Sequence, residues 1–375
     1  MIKAFKIRLL PTPEQEIIMN KTVGVARFTY NWGVSKWQEM YKVGLNPSGI
    51  KIKKIFNNTT KKDIQYHWLN EVSSHAISQA FHDLQDAFDR FFIGKSKYPR
   101  FKAKKSSRHS FYVRYDRMNI RDDTVNMERI GKVGFTTNYK LPIQKSYINP
   151  RCHFDGKYWY LTFGFEQGEN QVELNEDLSI GIDLGIKNLA VISSIDSPIK
   201  NINKSSTVKK LEKKLKRLQR KCSRKYEMNK KDKQFIKTKN IIKLEQEIKL
   251  IHRRLTNIRT NHIHQATNMI VKQKPYRIVM EDLNISGMMK NKHLSKSMQD
   301  QKLKEFARQI KYKSEFNGIE FVTADRFFPS SKMCSSCGNI KADLKLSDRI
   351  YKCSCGLEID RDKNASINLS RYKLV

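Results

Sequence analysis

The sequence predicts an α+β chain of several domains, in which a basic β module and a helical region precede an α/β domain that a cysteine-rich segment interrupts. Three observations carry this. The chain has 375 residues, about two and a half times a common domain length. Its apolar periodicity switches repeatedly between helical steps of three and four and strand steps of two. Hydrophobic residues at 39% and aromatic residues at 10% supply cores for folded domains and exclude a disordered tail protein.

Residues 2–10 read as a basic strand. Thr12-Pro13, followed by Glu14 and Glu16, joins a cap, a first-turn proline and acidic charge at a helix start. From Ile17 the residues Val25, Phe28, Trp32 and Met40 recur at helical steps, and Ala76, Ile77, Ala80, Phe81, Leu84, Phe88 and Phe91 do so more cleanly, so 13–104 is expected to be mainly helical. After Gly94 the run YPRFKAKKSSRHSFYVRYDR mixes basic and aromatic residues and then alternates like a strand. More strand signal lies at 130–136, and Asp155-Gly156 marks a hairpin turn. Residues 1–12 and 105–170 are therefore expected to form a small β-barrel. An acidic stretch at 166–178 marks a boundary, after which SIGIDLGIKNLAVISS reads as two strands around a glycine turn. Val208, Leu211, Leu215, Leu218 and Cys222, then Ile241, Leu244, Ile248, Ile251, Leu255 and Ile258, follow heptad steps and predict a helical hairpin over 205–262, turning near 226–234. A strand (PYRIVMEDLN), a helix around 297–315, a strand (GIEFVTAD), the cysteine segment at 326–358 and a final helix from about 362 complete an α/β domain over 179–325 and 359–375.

Charge names the partner class. The 73 Lys+Arg against 37 Asp+Glu leave +36, far beyond what solubility needs. Residues 200–259 alone carry 22 Lys+Arg and 5 Asp+Glu, or 22 − 5 = +17. Mean hydropathy is −0.65 and no stretch approaches the roughly 18 apolar residues of a spanning helix, so nucleic acid is expected and a membrane is not. The opening residues lack the continuous apolar run of a signal peptide, which predicts a reducing, cytoplasmic location. Arg100, Lys102, Lys104, Lys105 and Arg108, with Tyr98, Phe101 and Phe111 interleaved, are the expected contacts to RNA or a displaced strand, the aromatics stacking on unpaired bases. Lys209, Lys210, Lys213, Lys214, Lys216 and Arg217 form a second basic face on the hairpin.

Two constellations carry chemistry. Cys334-Ser-Ser-Cys337-Gly and Cys353-Ser-Cys355-Gly, with fifteen residues between the pairs, have the makeup of a structural zinc site. The second pair has one intervening residue where two are usual, which requires a tighter turn. Cys152 and Cys222 are expected to be packed as small apolar residues. Asp183 interrupts an apolar strand on the face opposite Ile182 and Leu184, Glu281 and Asp282 end another, and Asp360 and Asp362 begin the last helix. Acids placed so can converge on two Mg²⁺ ions about 4 Å apart for phosphodiester hydrolysis, a ribonuclease-H-like geometry. Gly94-Lys95-Ser96 follows a helix where a phosphate-binding loop follows a strand, which excludes an NTPase. His262 and His264 sit at a helical step that does not share a face.

The stretches AFKIRLLPTPEQE, ARFTYNWGV, YPRFKAKKSSRHSF, GIDLGIKNLAV, VMEDLNISGM, FPSSKMCSSCGNIK and YKCSCGLEIDRDKNASINL resemble the TnpB family, encoded by bacterial insertion sequences and ancestral to type V CRISPR nucleases. The resemblance covers nearly the whole chain. It implies an RNA-guided endonuclease that cuts double-stranded DNA beside a short motif, carrying a guide RNA from the transposon end, as a monomer on one guide RNA in a prokaryotic cytoplasm. It implies a wedge-like module at 1–12 and 105–170, a recognition region at 13–104, a RuvC-type domain at 179–325 and 359–375, and a target-nucleic-acid-binding zinc ribbon at 326–358. Carried over, Asp183, Glu281 and Asp360 take the three acidic positions that hold Mg²⁺, with Asp282 and Asp362 in support, and Cys334, Cys337, Cys353 and Cys355 hold zinc. The short second cysteine pair and the small helical region depart from the family. Two other readings share these features: a guided DNA-binding regulator without cleavage, which would have lost an acid, and a strand-transfer transposase.

Overall fold

The computed structural model describes residues 2–141, 147–166, 168, 172–231, 234–345 and 347–373. They form two compact units, 1–167 and 168–375, whose division falls in the acidic stretch at 166–178; of that stretch, residues 167 and 169–171 lie outside the described residues. Among the described residues no helix is long and apolar enough to cross a membrane.

In the first unit, β1 (Ile2–Leu10) leads into α1 (Pro13–Lys42). The start of α1 is fixed by a reciprocal cap: Thr12 Oγ1 accepts from the Gln15 N–H at 3.3 Å and Gln15 Oε1 accepts from the Thr12 N–H at 3.0 Å. Then come α2 (Gly49–Asn58) and α3 (Ser74–Phe92). Helices α1 and α3 meet through Trp37 and Phe88, whose rings stack at 3.9 Å. The strands β2 (Ser110–Tyr112), β3 (Asn119–Arg121), β4 (Thr124–Met127), β5 (Gly131–Thr136), β6 (Ile148–Phe154) and β7 (Trp159–Glu166) join β1 in the order β2-β6-β7-β1-β5-β4-β3. The opening strand is therefore the centre of the sheet, with Ile7 and Leu9 buried. Phe111 of β2 and Ile120 of β3, at the two edges, enter one core with Trp159 and Phe163, so the sheet curls around it. The hairpin at Asp155-Gly156 is present: Asp155 Oδ1 accepts from the Lys157 and Tyr158 amides at 3.0 and 2.9 Å, and Gly156 has φ +99°. Phe111 is thus not a base-stacking residue. It is 3% exposed, because the strand alternation that begins there turns it inward.

The second unit contains β8 (Asn175–Leu184), β9 (Asn188–Ile192), β10 (Ile199–Lys200), α4 (Ser206–Met228), the short pair β11 (Lys230–Lys231) and β12 (Gln234–Phe235), and α5 (Lys239–Val271). It continues with β13 (Pro275–Glu281), α6 (Ile285–Met288), α7 (Lys292–Gln301), α8 (Leu303–Phe316), β14 (Glu320–Ala324), β15 (Ile350–Lys352), β16 (Glu358–Asp360) and α9 (Arg361–Ser370). Helices α4 and α5 pair through Val208, Leu215, Leu218, Cys222, Ile241, Leu244, Ile251 and Leu255, the heptad seam; residues 232–233 of the turn lie outside the described residues. The single helix expected around 297–315 is two, α7 and α8. They break at Lys302, which is left-handed at φ +54° with its ammonium on Thr260 Oγ1 at 2.9 Å.

The main sheet has the order β10-β9-β8-β13-β14, with β8, β13 and β14 parallel and β9 antiparallel. Alternation sends Ile180, Ile182, Ile278 and Met280 into the core built with α5 and α8. The opposite face, with Val279, Val322 and Ala324, is closed by Leu369 of α9. Gly181 permits that closure. A Cβ there would stand 2.0 Å from the Ser366 carbonyl oxygen and 2.3 Å from the Ser370 nitrogen, both backbone atoms that cannot swing aside.

Candidate functional site

Asp183 shares its face of β8 with Gly181, the face that α9 covers. The parallel register Val279↔Gly181 and Met280↔Ile182, continued by one residue, sets Glu281 beside Asp183. From α9, Asp362 comes into the same field. Asp183 is half-buried, and its carboxyl is pushed well above the usual carboxylate range, first by burial, then by the charges of Glu281, Asp362 and, more weakly, Asp360, with Arg361 opposing. Crowded carboxylates of this kind are a hard-oxygen donor set that a divalent cation relieves.

The two acids at the helix start are placed differently. Asp360 is exposed and caps α9: its Oδ1 accepts from the Asp362 and Lys363 amides at 2.9 and 3.1 Å. Asp362 is the half-buried one, bears more strongly on Asp183, and meets Arg361 at 3.4 Å. Asp282 is turned outward and pairs with Arg326.

The surroundings hold residues that sequence reading missed. The Ser330 hydroxyl donates to Glu281. The loop bearing Ser330 is clamped by α9, where Asn368 Nδ2 donates to the carbonyls of Ser330 and Met333 at 2.8 and 2.6 Å, and Asn364 bridges the Met333 carbonyl and the Ser335 amide at 2.7 and 2.9 Å. Lys363 spends its ammonium on the carbonyls of Ile192, Ser193 and Ile195 at 3.2, 3.0 and 2.8 Å, tying the acid-bearing end of α9 to the turn after β9. Two asparagines on one face of a helix were a visible signal; Ser330 and Lys363 had none.

The four cysteines do come together. Their sulfurs lie within 4.8 Å of one another, with Cys334–Cys355 and Cys337–Cys353 both at 3.6 Å. A tetrahedron of roughly 2.3 Å zinc–sulfur bonds has edges of about 3.8 Å, so the donors fit zinc, short second pair included. Each pair sits on a turn closed by its glycine: the Gly338 amide donates to the Cys334 carbonyl at 2.9 Å and the Gly356 amide to the Cys353 carbonyl at 3.1 Å, with φ +78° and +92°. The Cys355 amide pulls the Cys353 thiol down to about 6. Cys337, despite the favourable Asn339 amide, is held up to about 12 by its sulfur neighbours. Cys152 and Cys222 are buried away from this cluster, and His262 and His264 bond to Lys200 and Gln309 respectively, without a shared ligand.

Of the basic residues singled out, Arg100, Lys104, Lys105 and Arg108 are exposed, as are Lys209, Lys210, Lys213, Lys214, Lys216 and Arg217. Lys214 is paired with Glu247 at 2.7 Å. Lys102 is only half-exposed: it is tucked against α1, its ammonium 3.5 Å from the Tyr30 ring.

A three-layer arrangement of a mixed sheet with acids at one end and a four-cysteine ribbon between β14 and α9 defines a ribonuclease-H-like α/β fold with a zinc-ribbon-like insert. Three family profiles match: "Helix-turn-helix domain" of OrfB_IS605 over 1–45, "Probable transposase" of OrfB_IS605 over 163–292, and "Cas12f1-like, TNB domain" over 304–369. Two of these profiles, over 1–45 and 163–292, describe OrfB proteins of the IS605 insertion-sequence group, which this chain resembles. In this chain the first span is not a helix-turn-helix but a strand and one 30-residue helix. Among relatives, a Streptomyces pristinaespiralis protein provisionally named an RNA-guided DNA endonuclease is 28% identical over 98% of this chain and 88% of its own. InsQ of Escherichia coli K12, named in the same way, is 25% identical over 94% and 87%. Among solved structures, a Cas12f1 chain in a complex with sgRNA and target DNA has a TM-score of 0.53 at 14% identity, covering 99% of this chain and 98% of that one.

Proposed function

We propose that this protein is an RNA-guided endonuclease of double-stranded DNA encoded by a transposable element, with a RuvC-type, metal-dependent site. The observation that carries it is the placement of Glu281 beside Asp183 on parallel strands, with Asp362 entering from α9 and the Asp183 carboxyl driven upward first by burial and then by these neighbouring charges. Asp183, Glu281 and one acid of the Asp360/Asp362 pair hold Mg²⁺ in this reading. Asp362 is favoured within that pair because it bears more strongly on Asp183, while Asp360 gives its Oδ1 to the helix cap and keeps Oδ2 for a cation. Two Mg²⁺ ions bound there would activate a water and stabilise the leaving oxygen of a phosphodiester.

The protein's own part is positioning. Ser330 fixes the Glu281 carboxylate, Asn368 holds the Ser330 carbonyl, Asn364 holds the same loop at Met333 and Ser335, and Lys363 fixes the helix that brings Asp362. In the same reading the four cysteines hold structural zinc in the target-nucleic-acid-binding ribbon. The curled sheet of 2–10 and 110–166 serves as the wedge, residues 13–104 as the recognition region, and the lysine face of α4 as a contact to guide–target duplex. Such a duplex is gripped by its backbone and shape, which suits dispersed basic charge.

The test is to purify the protein with its RNA, sequence that RNA, and present matched plasmid DNA with Mg²⁺. Cleavage by the native complex is expected. Asp183→Ala and Glu281→Ala should lower it by more than about a thousandfold while RNA and DNA binding stay near native, since removing an acid subtracts no positive surface. A native complex that binds matched DNA without cutting it would make the protein a guided regulator. Joined rather than cut DNA would make it a strand-transfer enzyme.

A further inference from the structure

The first unit holds a concentration of positive charge that the proposed chemistry does not use. A cavity of about 90 Å³ is lined by Arg27 of α1, Asp83 of α3, Lys102, Arg108, Tyr112 of β2 and Arg151 of β6, among others. Asp83 is the one carboxylate in that lining among the described residues, and it is already consumed. Arg151 donates to its two oxygens from both terminal nitrogens, at 2.7 and 3.1 Å, and Gln79 Nε2 adds a third bond at 3.1 Å. Arg27, Lys102 and Arg108 line the same space, whose one carboxylate, Asp83, is already bonded to Arg151 and Gln79.

Lys102 is built into place. Its backbone N–H donates to Asn31 Oδ1 at 2.7 Å and its carbonyl accepts from Asn31 Nδ2 at 3.0 Å, which pins the loop to α1. Its ammonium rests on the Tyr30 ring. Burial pulls the Lys102 pKa down, and Arg151 adds to that pull, while Asp83 resists it. Lys102 is partly withdrawn from water beside Arg151, and Asp83 offsets only part of that cost, so a further anion would lower it. One water needs roughly 10–15 Å³ of such space, so the cavity has room for a tetrahedral oxyanion. The Tyr112 hydroxyl, kept protonated by burial, is a further donor.

We propose that this cavity binds one backbone phosphodiester of the nucleic acid the protein carries, with Lys102 and Arg108 as its principal ligands and Arg27 as the third. The proposal rests on the chain being a nucleic-acid binder, and specifies a single seated phosphate where composition alone gives dispersed attraction.

The experiment is phosphate-ethylation interference on the protein–RNA complex and, in a second arm, on the matched DNA strand, because ethylation removes the charge of one linkage at a time. In native protein one linkage should stand out, its ethylation weakening binding at least about tenfold; the arm in which it appears names RNA or DNA as the source. The signal should vanish in Lys102→Gln/Arg108→Gln, survive in Lys104→Gln/Lys105→Gln, which removes equal charge from the same loop outside the cavity, and return in Lys102→Arg. Arg108→Gln alone, at an exposed residue, should weaken the signal without a change in melting temperature, which separates binding from folding. A native footprint with no dominant linkage in either arm, or one that the Lys102/Arg108 double variant leaves intact, overturns the proposal and leaves a structural ion-pair hub. Plasmid cleavage by the native complex is read separately: its absence would remove the endonuclease reading and leave the footprint standing.

Discussion

The second unit gathers ligands of like charge at two places, and it does so in opposite ways. The four sulfurs come from one short stretch, 334–355, and two tight turns position them, three of the four thiols remaining partly or fully exposed. The carboxylates come from two strands and a helix far apart in the chain. They stand together because Gly181 lets α9 lie against the sheet, and because Lys363, Asn364 and Asn368 bind that helix to its neighbours. The ribbon has little core of its own apart from Tyr351 and Cys334, so its shape is expected to depend on a metal held by the four sulfurs. The carboxylate site is shaped by everything around it, and removing a cation there should leave the fold in place under electrostatic stress.

The sharpest break of that comparison lies in the pair Asp360 and Asp362. Asp362→Ala should lower Mg²⁺-dependent cleavage by more than about a hundredfold, beyond the roughly 10–100-fold of a supporting partner, with melting nearly unchanged. Asp360→Ala removes a cap and should cost about 1 kcal/mol of stability with a milder loss of cleavage, and Asp360→Asn, which can still cap, should restore most of both. Single-turnover cleavage beside thermal melting reads the split. If Asp360→Asn is as inactive as Asp183→Ala while Asp362→Ala cuts normally, Asp360 is the acid that holds the cation and Asp362 only lends its charge to the site.

That pair also shows where sequence reading reached its end. An aspartate inside IGIDLGI could be singled out because strands seldom hold one, and the seam of α4 and α5 was visible because heptad steps are local. Choosing between Asp360 and Asp362 was not possible that way. Either can begin a helix, and only the packing of α9 on β8 decides which carboxylate turns toward Asp183. Gly181 looked like part of a strand motif, yet its reason is a backbone contact with Ser366 and Ser370, nearly two hundred positions later. Phe111 and Lys102 were grouped with a surface loop by composition. The alternation of β2 buries the first, and the Asn31 clamp tucks in the second. Ser330 carried no signal, because its role depends on the bond to Glu281. The cysteines were legible in full, since spacing and a following glycine are all that a local site needs.

Removal of zinc is the next largest effect. Chelation should speed amide exchange across 326–358 by at least about a hundredfold, consistent with metal binding energies of roughly 10 kcal/mol in small zinc modules, and leave β8 and β13 protected. Cys334→Ser, at the buried ligand, should reproduce this more fully than Cys355→Ser at an exposed one. Cleavage should fall in both through misplacement of Ser330 rather than loss of the acids. Exchange mass spectrometry that finds the ribbon equally protected with and without metal would show that Tyr351 and the α9 clamps suffice to hold it.

The smallest effect tests the claim that the carboxylate site is under stress without its cation. Because the folded Asp183 carboxyl is raised above its unfolded value, the native state holds a proton that the unfolded chain releases. Stability therefore falls as pH rises from the ordinary carboxylate value, about 4, to the raised one, and stays lower above it. Asp183→Asn replaces a carboxyl whose ionisation the fold opposes with a group that cannot ionise in either state, so in chelator it should melt higher than the native protein at neutral pH. At pH values near 4 the gain should shrink, since native Asp183 is then protonated as well. For a unit of this size each kcal/mol corresponds to about 2–4 °C, so the shift should be a few degrees. Mg²⁺ should raise the melting temperature of native protein by a similar amount and leave Asp183→Asn almost unmoved, because the variant lacks both the charge and the ligand. Melting curves at two pH values, with and without Mg²⁺, give the four numbers needed. Were Asp183→Asn less stable than native protein in chelator at neutral pH, the carboxylate would be paid for by contacts that favour its charged form, and the crowding that points to a cation there would be absent.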